Sequence, residues 1–137
     1  ADNIKLGSVT VSEGKSGRAD IGLVTAASYR EALNNALMMA GYIARGDKEA
    51  KYTLDAQLLD IKQDFFGFDL SANTEATYTL TNQRSGNVVY NETLSLPYTA
   101  AFAESLNGSH RLRLATAKSV RENIVHFVRT LSEKNIK

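Results

Sequence analysis

The sequence predicts an α+β fold: a two-layer sandwich of order β-α-β-β-β-α, with two helices on one face of a four-stranded, mostly antiparallel sheet. Three observations carry this. Between Lys51 and Phe102 the even positions collect most of the apolar residues in three runs, Tyr52 to Leu58, Leu70 to Leu80 and Val88 to Phe102. The odd positions between them carry Thr53, Asp55, Gln57, Glu75, Thr77, Thr79, Asn91, Thr93 and Ser95, so one face of the sheet is apolar and the other polar. Two further segments, from Ser28 to Ala40 and from Asn107 to Leu131, repeat apolar residues at spacings of three and four, as helices lying on that apolar face do.

Ile4, Leu6, Val9 and Val11 form a first strand, with Gly7 where the alternation changes phase, the mark of a bulge. Ser12 to Asp20, with two glycines, two serines and four charged residues, reads as an exposed connection that doubles as a candidate mobile site. Ser28 and Glu31 have the spacing of a capping box at the start of the first helix. Tyr29, Ala32, Leu33, Ala36, Leu37 and Ala40 make its apolar face, and Gly41 suits a left-handed helix terminus. Met38 projects away from that face, either as a partner contact or as an ordinary exposed apolar residue.

Arg45 to Glu49 is a charged connector, and the next strand is expected to end where Leu58, Leu59 and Ile61 break the alternation. Asp64 to Asp69, DFFGFD, then reads as a connecting segment. Its Phe65, Phe66 and Phe68 are a candidate partner loop, or else a lid folded over the end of the core. Thr81 to Val88, with Gly86 and Asn87, is a hairpin turn. Pro97 donates no ladder hydrogen bond, which places the following strand at an edge or a bulge. Asn107 to Ser109 break the chain before the last helix, whose stripe is Ala117, Val120, Ile124, Phe127, Val128 and Leu131. Arg113 would fall inside that stripe, so the regular helix is expected to begin after it and to run about 18 residues, roughly 27 Å.

A chain of 137 residues with 43% hydrophobic and 23% charged residues fits one domain, residues 1–137, with one core. No cysteine is present, which removes disulfides, thiolate metal ligands and thiol nucleophiles from these residues. A net charge of +1 argues against a nucleic-acid partner. No run of eighteen apolar residues offers a transmembrane segment. His110 and His126 have no partner at helical metal-ligand spacing, and neither a nucleophile elbow nor a phosphate-binding glycine loop occurs. Asp55 and Asp60 sit in or beside solvent-facing strand positions. The expectation is therefore a protein that is not an enzyme, with no catalytic residues, metal site or cofactor.

One charge cluster is a candidate site. Arg111, Arg113, Lys118 and Arg121 lie between Gly108 and Arg121 without an acid, while Arg45 to Glu75 holds seven acids against four bases. On a helix Lys118, Arg121 and Arg129 share a flank beside the apolar stripe. These five basic residues form a candidate contact for an anionic lipid or lipopolysaccharide, or else a solvated helix face.

Four segments in this order, YREALNNALMMAG (Tyr29 to Gly41), YTLDAQLLDI (Tyr52 to Ile61), ATYTLTNQRSGNVVYNETL (Ala76 to Leu94) and RLRLATAKSVRENIVHFVRTL (Arg111 to Leu131), resemble small bacterial cell-envelope lipoproteins. The layout is similar to the LptE-like fold and to the auxiliary lipoproteins of envelope ABC transporters. The resemblance implies a periplasmic protein anchored to the outer membrane through a signal sequence and a lipidated cysteine upstream of Ala1. The start without Met is expected of a mature or trimmed product. It also implies a partner that is an envelope protein or an anionic glycolipid. The alternative is a soluble binding or inhibitor module of cystatin-like layout, using DFFGFD or the hairpin as its contact.

Overall fold

The computed structural model describes residues 4–11, 25–43, 50–66, 69–100 and 108–134, apart from the side chains of 61–66, 69–71, 98–100 and 108–115. The Ser12 to Asp20 and Arg45 to Glu49 connections lie outside the described residues. The elements are β1 (Ile4–Val11), α1 (Ala26–Met39), β2 (Tyr52–Phe66), β3 (Asp69–Asn82), β4 (Val88–Ala100) and α2 (Gly108–Glu133). The sheet runs β1-β2-β3-β4 in space. β1 is parallel to β2, and β2, β3 and β4 form an antiparallel meander. This is the α+β sandwich that the alternation and the two helical stripes predict.

The core lies between sheet and helices. Leu54, Leu58, Ala72, Ala76, Tyr78 and Leu80 of the sheet meet Tyr29, Leu33 and Leu37 of α1 and Ile124, Phe127 and Leu131 of α2. The Phe127 ring stacks on Tyr78 at 4.2 Å between centroids and meets Tyr90 at 5.6 Å, adding directional contact to the area buried. The opposite face of the sheet is polar, as expected. Thr77 and Thr93 hydroxyls bond at 2.7 Å and Asn73 donates to Ser95 at 2.7 Å, cross-strand pairs that tie β3 to β4 on that face. Pro97 sits in β4, which is an edge strand, and it pairs with Asn73 without a shift of register.

Several local expectations are corrected. The N-cap of α1 is Thr25, with an extended backbone, and the capping box is Thr25 with Ser28 rather than Ser28 with Glu31. The Thr25 hydroxyl accepts from the Ser28 amide and the Ser28 hydroxyl accepts from the Thr25 amide, each at 3.0 Å. Ala26 and Ala27, strong helix formers, let the helix start a turn earlier. Its end is as read: Gly41 has φ 81°, and Tyr42 and Gly41 amides donate to the Leu37 and Met38 carbonyls, a Schellman motif.

β2 does not stop at Leu59. A bulge between Leu58 and Asp60 shifts the register by one residue, and pairing then continues to Phe66 opposite Asp69. Phe65 and Phe66 are therefore strand residues rather than members of a connecting loop; Phe68 lies outside the described residues. α2 begins at Gly108, not after Arg113, and its 26 residues span about 39 Å.

The bulge at Gly7 is confirmed by the shift of register between Leu6 and Val9. It is fastened on both sides. The Ser8 amide donates to Asp55 Oδ1 at 2.7 Å, and Arg30 of α1 donates to the Gly7 carbonyl at 2.8 Å. A Cβ at position 7 would stand 2.5 Å from Asp55 Oδ1 and 2.8 Å from Thr53 Cγ2. Because the carboxylate is held by the Ser8 amide, it cannot withdraw without losing that bond. Gly7→Ala is expected to lower the unfolding free energy by about 1–3 kcal/mol, the usual cost of overpacking, measured as a shift of the urea midpoint with an unchanged slope.

Candidate functional site

The site follows from how the two helices are fixed to the sheet. Tyr29 of α1 donates its phenol proton to the Tyr78 hydroxyl on β3 at 2.9 Å, and Tyr78 donates to Asn123 Oδ1 on α2 at 2.8 Å. The Asn123 amide then donates to the carbonyls of Thr74 on β3 and Leu94 on β4, each at 2.9 Å. One turn earlier, Ser119 bonds the Thr74 hydroxyl at 2.7 Å and donates to the Leu96 carbonyl at 2.8 Å. Tyr29, Tyr78, Thr74, Ser119 and Asn123 are all buried. Each polar group in this run has a partner, so the polar seam costs little and fixes both helices in position.

The predicted stripe of α2 is thereby rotated. Thr116, Ser119 and Asn123 face the sheet with Val120, Ile124, Phe127 and Leu131, while Ala117 is exposed and Val128 half-buried. Likewise Ala32 and Ala40 of α1, placed on the apolar face by spacing, are exposed. The signals for the rotation were present in the sequence: Thr74 interrupts a run of apolar even positions, and Thr116, Ser119, Asn123 and Phe127 recur at helical spacing.

The displaced residues line a groove between the helices, about 670 Å³ in volume. On α1 the lining is Ala32, Asn35, Ala36, Met39 and Ala40. On α2 it is Ala117, Val120, Arg121, Ile124, Val125 and Val128. Both sets follow the spacing of one helix face. The two helices approach each other, and α1 also rests on β1 and α2 on β3 and β4. Met39 is 90% exposed at this groove.

Of the basic residues singled out in the sequence, Arg121 lines the groove and is exposed. Lys118 is half-buried and already engaged, and Arg129 is exposed. On α2, Lys118 and Arg129 fall on the flank just outside Arg121, as the helical spacing requires. Arg111 and Arg113 are in α2, with side chains outside those described. Phe65 and Phe66 are placed by backbone alone.

Asp60 departs from expectation: past the bulge it is 2% exposed rather than solvent-facing. Its carboxylate oxygens and the Tyr90 hydroxyl are the buried side-chain polar atoms without a hydrogen-bond partner among the described residues. Asp55 is half-buried and accepts from Ser8. Among the described residues no three His, Cys, Asp or Glu side chains cluster as metal ligands, and no helix is long and apolar enough to cross a membrane.

No family model and no curated protein match the sequence. Solved structures do. A hypothetical protein from Chlamydia trachomatis superposes with a TM-score of 0.63 at 14% identity, over 93% of this chain and 96% of that one. A minor lipoprotein from Acinetobacter baumannii gives 0.53 at 15% identity, over 98% and 92%. Rare lipoprotein B from Shewanella oneidensis gives 0.52 at 7% identity, over 98% and 96%. At these identities the likeness is one of fold: this chain has a fold that bacterial lipoproteins adopt.

The tyrosine seam makes stability depend on alkaline pH. Burial pushes the Tyr29 phenol from 10.0 up to about 12. Burial, reinforced by the adjacent Tyr29, raises Tyr78 well above its ordinary value. Because the folded state favours the neutral phenols, the Tyr29 contribution is complete below pH 10 and is lost as pH rises through about 12, and the Tyr78 contribution changes in the same direction. Urea unfolding is expected to show a free energy that falls from pH 10 upward by at most about 1.4 kcal/mol per pH unit per phenol. Tyr29→Phe should make the fall shallower.

Proposed function

We propose that the protein is a non-enzymatic, lipoprotein-type binding domain of the bacterial cell envelope that engages an anionic lipid or lipopolysaccharide through α2 and the groove beside it. The observation that carries this is the position of Arg121. It lies at the groove, with Arg129 and Lys118 on the adjoining flank. An apolar trough edged by the Arg121 guanidinium suits an amphiphile with a negatively charged head, because arginine pairs with phosphate oxygens through two parallel hydrogen bonds. The fold shared with lipoproteins of Acinetobacter and Shewanella supports an envelope setting. A periplasmic location at the outer membrane, and a role like that of LptE-like or ABC-transport auxiliary lipoproteins, belong to the same proposal. The alternative, a soluble cystatin-like binding or inhibitor module, would use Phe65, Phe66 and Phe68, whose side chains lie outside those described, or the Thr81 to Val88 hairpin.

The chain is expected to sediment with vesicles containing phosphatidylglycerol or lipopolysaccharide and not with vesicles of phosphatidylcholine alone, with binding that weakens as salt is raised. Arg121→Ala and Arg129→Ala should each lower the partition coefficient about fivefold, equivalent to about 1 kcal/mol per basic residue at an anionic surface. Equal sedimentation with neutral vesicles, or binding indifferent to both substitutions, would remove the α2 flank from the account.

A further inference from the structure

We propose that the groove between α1 and α2 is an acyl-chain site: it seats one hydrocarbon chain of a phosphate-bearing membrane lipid, with Arg121 holding the phosphate. This rests on the lipid-binding reading above and makes it more specific, since a basic flank alone requires only a surface, whereas a groove takes a single molecule.

Size, lining and charge point the same way. A volume of about 670 Å³ lies within the 300–1,000 Å³ typical of small-ligand sites. Among the described residues the lining is alanine, valine, isoleucine and methionine except for Asn35 and Arg121, and none of them is acidic. The apolar stripe runs about 12 Å along α1, from Ala32 to Ala40, and about 16 Å along α2, from Ala117 to Val128. Alanines at 32, 36, 40 and 117 leave room for a slender unbranched body. A peptide helix would instead bring backbone and polar side chains against a wall with two polar groups. Met39, unbranched and 90% exposed, can lay its thioether over a chain and adapt to its length. Arg121, the one cation among the described lining residues, at a mostly apolar trough complements a ligand with one anionic end and one long apolar end. It complements a neutral hydrocarbon or a polyanion less well.

The test uses monomeric n-octyl, n-decyl and n-dodecyl phosphate, each below its micellar concentration, titrated calorimetrically into the full chain. Each methylene seated in an apolar groove is worth about fourfold in affinity, so decyl phosphate is expected to bind about sixteenfold tighter than octyl phosphate. Dodecyltrimethylammonium should bind at least tenfold more weakly than dodecyl phosphate. Arg121→Gln is expected to lower affinity for all three phosphates about tenfold while keeping the dependence on length. Ala36→Phe, checked by circular dichroism for an intact fold, fills the trough and should abolish that dependence; Ala117→Phe serves if Ala36→Phe does not fold.

Affinity independent of chain length overturns the acyl-chain site. So does a length dependence that survives in the filled variant, or a concentration-dependent dimer of the free chain that Ala36→Phe abolishes, since the groove then belongs to a second copy. A protein that sediments with anionic vesicles but shows no length dependence loses this inference alone. One that fails to sediment loses the broader reading.

Discussion

The structure depends on one buried run of hydrogen bonds, Tyr29 to Tyr78 to Asn123 and on to the carbonyls of Thr74 and Leu94. It joins α1, two strands and α2 through side chains that are all buried. Hydrophobic burial by Leu33, Leu37, Ile124, Phe127 and Leu131 supplies more energy in total, but it is non-directional. The polar run has one geometry. Removing a partner strands a buried donor or acceptor at a cost of about 1–3 kcal/mol, so displacing either helix is penalised at several atoms together.

Fixing the helices in this way also sets how they lie beside each other. Ser119 and Asn123 draw α2 toward β3 and β4, while Arg30 and the bulge at Gly7 tie α1 to β1. β2 is left between the two supports. The helix faces that turn toward each other carry mostly small residues, and a groove lies between them. The groove lining combines exposed residues such as Ala32, Ala117 and Val125 with Val120 and Ile124, which are buried in the core.

Much of the fold can be read from the sequence, because strand alternation and helix periodicity are local and strong. The start of β2, the strands β3 and β4, the bulge at Gly7, the terminator Gly41 and the turn at Gly86 stand where the residues place them. Errors arise where one residue changes phase. Leu59 ends the alternation of β2, and an interrupted pattern looks the same whether the strand stops or carries a bulge; only pairing with β3 decides. Part of the site is legible too, since Arg121 stands out among basic residues without acids. Its apolar half is hidden for a physical reason. Ala32, Ala40 and Ala117 fit the apolar stripes by spacing, and spacing cannot say which edge of a stripe a neighbouring layer covers. That depends on Asn123 and Thr74, polar residues that a hydrophobic pattern treats as outsiders.

The account therefore places recognition in the space between the helices rather than on the polar face of the sheet, where Thr77 and Thr93 already satisfy each other across strands. Intermolecular nuclear Overhauser effects test this directly, using protein labelled at alanine, valine and threonine methyls with unlabelled decyl phosphate. The account predicts contacts from the chain methylenes to the methyls of Ala36, Ala117, Val125 and Val128. Contacts to the methyls of Thr77 and Thr93 in their place would contradict it.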